Sequence, residues 1–172
     1  GKKGWLQELK TDAAYDVDDL LPAVRNGLSI DGKLFAAPFY GESSMLMYRK
    51  DLADKAGVQV PERPTWPQIK DLAAKMHDPK NGVYGICLRG KPGWGDNMAF
   101  LTTLVNTFGG QWFDMQWKPQ LESKPWKDAI NFYVDLLKNY GLPVSAANSF
   151  NEMLALTNAR NCGMWVEAAI ED

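Results

Sequence analysis

At 172 residues with a formal net charge of −2, the chain is long enough to bury a sizeable core, and its charge gives no reason to expect nucleic acid or an anionic membrane as partner. Hydrophobic residues make up 45% and charged residues 23%, an ordinary globular composition, and no apolar run approaches the roughly 20 residues needed to span a bilayer. One His and two Cys leave no zinc spacing and no CxxC pair, and a triad would have to use His77, whose loop HDPKNG predicts a merely solvated side chain.

The chain opens on GKKGWLQEL, without the basic end and apolar run of an export signal, and reads as the interior of something longer. Residues 16–25, DVDDLLPAVR, predict a short helix capped by Asp16. Gly32 to Tyr40 predict a turn and then a strand, and Met45 to Tyr48 a second strand. Arg49 to Ala56 predict a helix ended by Gly57 in a left-handed cap. In TWPQIKDLAAKM, Thr65 and Gln68 form a capping box, Pro67 is tolerated in the first turn, and Ile69, Leu72, Ala73 and Met76 share one face. Tyr84 to Leu88 predict a short buried strand.

A helix from Asp96 or Asn97 to Gly109–Gly110 follows the loop RGKPGWGDN. Trp126, Ile130, Tyr133, Val134 and Leu137 mark another helix face, with Ser123 as cap and Gly141 as stop. Ser149 and Glu152 form a second capping box, opening a helix to about Asn158, and Gly163 to Glu167 predict a last strand. Cys87 and Cys162 lie in apolar, strand-like surroundings and read either as buried thiols or, in an oxidising compartment, as a disulfide.

Strands separated by helices predict an α/β fold, and ligands in such folds bind where loops leave the strand ends. Three loops matter on that rule: Tyr40–Ser44, Arg89–Asn97 and the chain from Glu167 onward. The first gathers an aromatic, a carboxylate and two hydroxyls around Gly41, although a polar crossover with a surface Glu42 would look the same. The second sets Trp94 among three Gly and a Pro, between Arg89 at a strand end and Asp96 and Asn97 at a helix start. An aromatic face with planar polar side chains suits a polyhydroxylated ligand, and the loop has neither GxxxxGK[ST] nor GxGxxG phosphate-loop spacing. Trp165 within its strand reads as core, and Glu167 at the outgoing end as a site residue. Glu42 and Glu167 could alternatively be the carboxylate pair of a glycosidase.

The stretches DGKLFAAPFYGESSMLMYRKDLADKAGV, PTWPQIKDLAAKM, GVYGI, NTFGGQWFD, FYVDLLKNYG, FNEMLAL and MWVE, in this order, resemble the middle of family 1 bacterial extracellular solute-binding proteins. PFYGESSMLMYRKDL together with RGKPGWGDN is most similar to the branch that binds sugar alcohols such as sorbitol and mannitol, and more distantly to maltose-binding protein. The resemblance implies a type II periplasmic binding protein fold, of which the chain is a fragment. Residues 1–41 would be the end of the N-terminal lobe and the hinge strand, and 42–172 most of the C-terminal lobe. It implies a ligand-binding set of Tyr40, Glu42, Arg89, Trp94, Asn97 and Glu167, with no catalytic residue, metal or cofactor. It also implies a sugar or polyol ligand, ABC permease subunits as partners, and a periplasmic location, or a lipoprotein in a Gram-positive host. A sensor subunit sharing the receptor fold is the remaining alternative.

Overall fold

The computed structural model describes residues 3–39, 41–93 and 95–168. The chain divides into two compact units, one ending at Ser43 and the other starting at Ser44.

The first unit is dominated by turns. The Asp12 carboxylate accepts from the Ala14 and Tyr15 amides at 3.0 and 3.2 Å, closing one helical turn, and a second covers Val17–Asp19. The expected helix from Asp16 is therefore broken. Asp16 sits at φ 48° and caps nothing with its side chain, and the α-helix proper, α1, runs Pro22–Gly27. Pro22 explains the break, because its ring disfavours a helical residue before it, and Leu21 is extended at ψ 128°. Strands β1 (Ser29–Ile30) and β2 (Lys33–Leu34) pair antiparallel across Asp31 and Gly32, both at positive φ, as a tight hairpin requires. The strand predicted to run on to residue 40 stops at Leu34. Pro38 cannot donate to a ladder, and no described strand lies beside 35–39. Leu34 is buried, while Trp5, Leu6, Leu9, Leu21 and Phe39 stay exposed, as expected of a unit too small to enclose a core.

The second unit is a three-stranded mixed sheet with helices on both faces. Strand β3 (Ser44–Tyr48) leads into α2 (Lys50–Lys55), which ends at Gly57 with φ 66°. Helix α3 (Trp66–Met76) follows, with the Thr65–Gln68 capping box formed and Ile69, Leu72, Ala73 and Met76 all buried. After β4 (Tyr84–Cys87) come α4 (Asp96–Thr107), α5 (Lys124–Tyr140), α6 (Phe150–Asn158) and β5 (Cys162–Ala168). The order is β3-β5-β4, with β5 antiparallel to β3 and parallel to β4. Being central, β5 is buried along nearly its whole length, which its continuous apolar run Cys-Gly-Met-Trp-Val permits.

The larger core packs α3, α4 and α5 against Ile86, Leu88, Met164 and Val166. The smaller joins Met153 of α6 to Cys87, Cys162, Leu142 and Trp165. Trp165 is core, as read from the sequence. The two cysteines form a disulfide, with Cα atoms 5.9 Å apart.

Three side-chain expectations fail. In α5 the buried stripe is Trp126, Ala129, Tyr133 and Leu136, whereas Ile130 and Val134 are partly exposed. A stripe drawn only through large residues missed Ala129, whose small side chain lets the helix approach the sheet. Ser123 occupies the N-cap position without a side-chain bond. His77 is not a free loop side chain either. Its ring lies 6.0 Å from both Tyr84 and Tyr140, and its Nδ1 accepts from the Gly85 amide at 3.3 Å.

Candidate ligand-binding site

The parallel strands β4 and β5 point their C-terminal ends the same way, so the residues that leave them converge. Leu88 is fully buried and anchors the exit of β4; Arg89 follows it. The loop is then stitched to the segment before α6. The amides of Gly90 and Lys91 donate to the Asn148 carbonyl at 3.2 and 3.1 Å, and the Tyr133 hydroxyl donates to the Arg89 carbonyl at 2.5 Å. Gly93 and Gly95, at φ 91° and 92°, turn the chain into α4. There the Asp96 amide donates to Gly93 and the Asn97 amide to Lys91.

These turns assemble a buried polar cluster. Arg89 Nε donates to Glu167 Oε2 at 2.5 Å, and its Nη2 donates to Glu167 Oε1, a two-pronged pair. Arg89 Nη1 is 3.7 Å from Asp96 Oδ1, and the Ser149 hydroxyl donates to that same oxygen at 2.5 Å. The Phe150 ring, at the start of α6, lies 5.7 Å below the guanidinium carbon. The Ala168 amide adds a donor to Glu167 at 3.0 Å. The side chains of Arg89, Asp96 and Glu167 are only 11%, 6% and 4% exposed, so the pairing takes place out of water.

Chemically the cluster is rich in acceptors. The Arg89 fork is turned onto the carboxylates, and the carboxylate lone pairs that remain can accept from ligand hydroxyls. A guanidinium spanning both oxygens of Glu167 occupies that carboxylate, an arrangement that suits neither a glycosidase acid nor a free nucleophile. Among the described residues no group of His, Cys, Asp and Glu could hold a metal ion.

The cluster thus brings together Arg89 and Glu167 from the expected set. Asn97 stands beside it, half-buried in the first turn of α4, with no side-chain hydrogen bond to the described residues. Glu42 is exposed in the first unit. Tyr40 and Trp94 lie outside the described residues. The sequence reading missed Ser149 and Phe150, which appeared only as a helix start, and the anchoring Tyr133, which appeared only as core. It noted Asp96 at the helix start without giving it a role. The one available signal was the proximity of Asp96 to Asn97; contact between positions 96 and 149 is tertiary and leaves no local pattern.

Tyr133 can be tested directly. Burial pushes its phenol up to about 12 from an ordinary 10.0. The unfolded chain therefore releases this proton first, so stability falls as pH rises from 10 toward 12 and is untouched below that window. Tyr133→Phe leaves the Arg89 carbonyl short of a donor and is expected to cost about 0.5–1.5 kcal/mol at pH 7. Urea unfolding across pH should show this loss together with a weakened alkaline slope. An unchanged midpoint at pH 7 would mean the hydroxyl does not anchor the loop.

Comparison with known proteins places these features in context. A family model for bacterial extracellular solute-binding proteins matches residues 1–170. The chain is 52% identical over 171 residues to the mannitol-binding protein of Pseudomonas aeruginosa, covering 99% of this chain and 39% of that protein. It superposes with a TM-score of 0.88, at 56% identity, on an ABC transporter solute-binding protein from Agrobacterium vitis with bound D-mannitol, covering 99% of this chain and 42% of the other. A solute-binding protein from Agrobacterium radiobacter in complex with ribitol gives a TM-score of 0.85 at 26% identity, covering 99% of this chain and 43% of the other. The chain therefore spans about two fifths of the length of these relatives.

Proposed function

The chain belongs to the bacterial extracellular solute-binding protein family, and on that premise we propose that it is part of the receptor of an ABC importer, one that captures a neutral polyol of the mannitol class. In this reading residues 1–41 end the N-terminal lobe and carry the hinge strand, and 42–172 make up most of the C-terminal lobe. The ligand is held between the lobes, whose contacts with it favour the closed form, and the closed form delivers it to the permease. The receptor works outside the cytoplasm, in the periplasm or tethered at the cell surface, and performs no chemistry on its cargo. Tyr40, Glu42, Arg89, Trp94, Asn97 and Glu167 are the proposed contacts, joined now by Asp96.

The observation that carries the reading is the buried Arg89–Glu167–Asp96 cluster at the exits of two adjacent strands. Among the described residues, two carboxylates against one guanidinium leave an excess of negative charge and of acceptors. That suits a ligand made of hydroxyl donors and disfavours phosphate or a sugar acid. The D-mannitol bound to one relative and the ribitol bound to another are ligands of this chemistry.

Calorimetric titration of the full-length receptor that contains this chain is the test, with D-mannitol, D-sorbitol, ribitol, maltose and D-gluconate as ligands. A hexitol should bind most tightly and gluconate should give no heat. Saturable binding of gluconate in preference to every polyol would defeat the reading. In the same receptor Trp94→Ala should weaken polyol binding by about 0.5–3 kcal/mol through lost aromatic contact and unsealed polar groups. An unchanged dissociation constant would remove Trp94 from the site.

A further inference from the structure

We propose that the Cys87–Cys162 disulfide is a positioning element of the ligand site, holding β4 and β5 in the one register that sets Arg89 against Glu167. The proposal rests on the functional reading above for its effect on affinity.

The β4–β5 ladder is short. Its pairs are Tyr84 with Cys162, Ile86 with Met164, and Cys87 with Trp165. Arg89 and Glu167 each lie two residues past that last pair, so they meet beyond the end of the β4–β5 pairing. Register in a short parallel pair is weakly held by backbone bonds, and a slip of one residue would turn Arg89 to the opposite face. The disulfide joins the last residue of β4 to the first residue of β5, with Cα atoms 5.9 Å apart, and so ties the two strands covalently close to the Arg89–Glu167 pair.

The same bond also touches the other wall of the site. Both cysteines are fully buried in the smaller core, against Trp165 and Met153. Met153 belongs to α6, which begins at Phe150 under the guanidinium and follows Ser149 on Asp96. Three parts of the polar cluster therefore trace back to one covalent link: the exit of β4, the exit of β5 and the start of α6.

The test uses the full-length receptor carrying Cys87→Ala with Cys162→Ala, or Cys87→Val with Cys162→Ala should the first pair not fold. Affinity for D-mannitol is measured well below the melting temperature, where circular dichroism shows variant and wild type equally folded. The expected result is a dissociation constant about tenfold weaker, shrinking to less than about twofold when Arg89→Lys is already present, because both changes act on one contact. A second readout needs no ligand: exchange of the Arg89 Nε–H with solvent, followed by NMR, should speed up by about tenfold. A merely structural staple would lower the melting temperature and leave both readouts where they were, which would overturn the proposal. If the wild-type receptor binds no polyol, the functional reading falls, and the Arg89 exchange rate alone decides whether the disulfide positions the pair.

Discussion

Arg89→Ala should destabilise the second unit by about 3–5 kcal/mol, the cost of stranding a buried charge without its partner. The side chain is 11% exposed and faces Glu167 and Asp96, which are 4% and 6% exposed. Removing the guanidinium leaves two carboxylates facing one another with little water to screen them. Among the described residues, what remains is one hydroxyl donor on Asp96 and one amide donor on Glu167, too little to replace a two-pronged ion pair. The measurement is urea unfolding at pH 7, followed by tryptophan fluorescence. Adding Glu167→Gln to Arg89→Ala should recover a large share of the loss, because the second change removes the charge that the first one orphaned. Lys50→Ala breaks the exposed Lys50–Asp54 pair and should hardly move the midpoint. Were Arg89→Ala to unfold at the same urea concentration as wild type, the cluster would be solvated and could not organise a binding surface.

Most of the second unit was legible in the sequence because its signals are local. Capping boxes at Thr65 and Ser149 fix two helix starts with side chains three residues apart, and Gly57 and Gly109 fix two helix ends through positive φ. The apolar run at Cys162–Val166 marks a central strand because both faces of the sheet are covered. The first unit was harder to read, since one proline overrode a helical pattern and another stopped a strand. The α5 stripe was misplaced because Ala129 carries little hydrophobic weight yet is fully buried.

The site was legible only in part, for a related reason. Strand ends can be found from sequence, and the rule that ligands gather there selected Arg89 and Glu167. What lies opposite a strand end depends on how helices separated by fifty residues or more are packed. Ser149 could be read as a cap for its own helix, and it is one, yet its hydroxyl also donates to Asp96. The sequence also left the state of the cysteines open, because nothing in either strand states which residues of its neighbour it will lie beside.

Gly90→Ala tests how tightly that packing holds the site. A Cβ at Gly90 would lie 2.3 Å from the Ser145 carbonyl oxygen and 2.6 Å from its carbon, so the clash is with backbone and no rotamer change relieves it. The segment from Ser145 to Ser149 would have to move away. That movement breaks the two amide bonds to the Asn148 carbonyl and pulls the Ser149 hydroxyl off Asp96. Overpacking of this kind costs about 1–3 kcal/mol, and losing two amide bonds adds about 0.5–1.5 kcal/mol each, so a loss of about 2–6 kcal/mol is expected. Gly27→Ala is the matched control, a glycine in α1 with nothing within 4 Å of the added Cβ, where alanine should be neutral or mildly stabilising. Affinity separates two explanations that stability alone does not. If the loop serves only the core, the folded fraction of Gly90→Ala will bind D-mannitol as wild type does. If the loop presents the ligand-binding carboxylates, the folded fraction will bind more weakly, because Asp96 will have lost the hydroxyl that orients it.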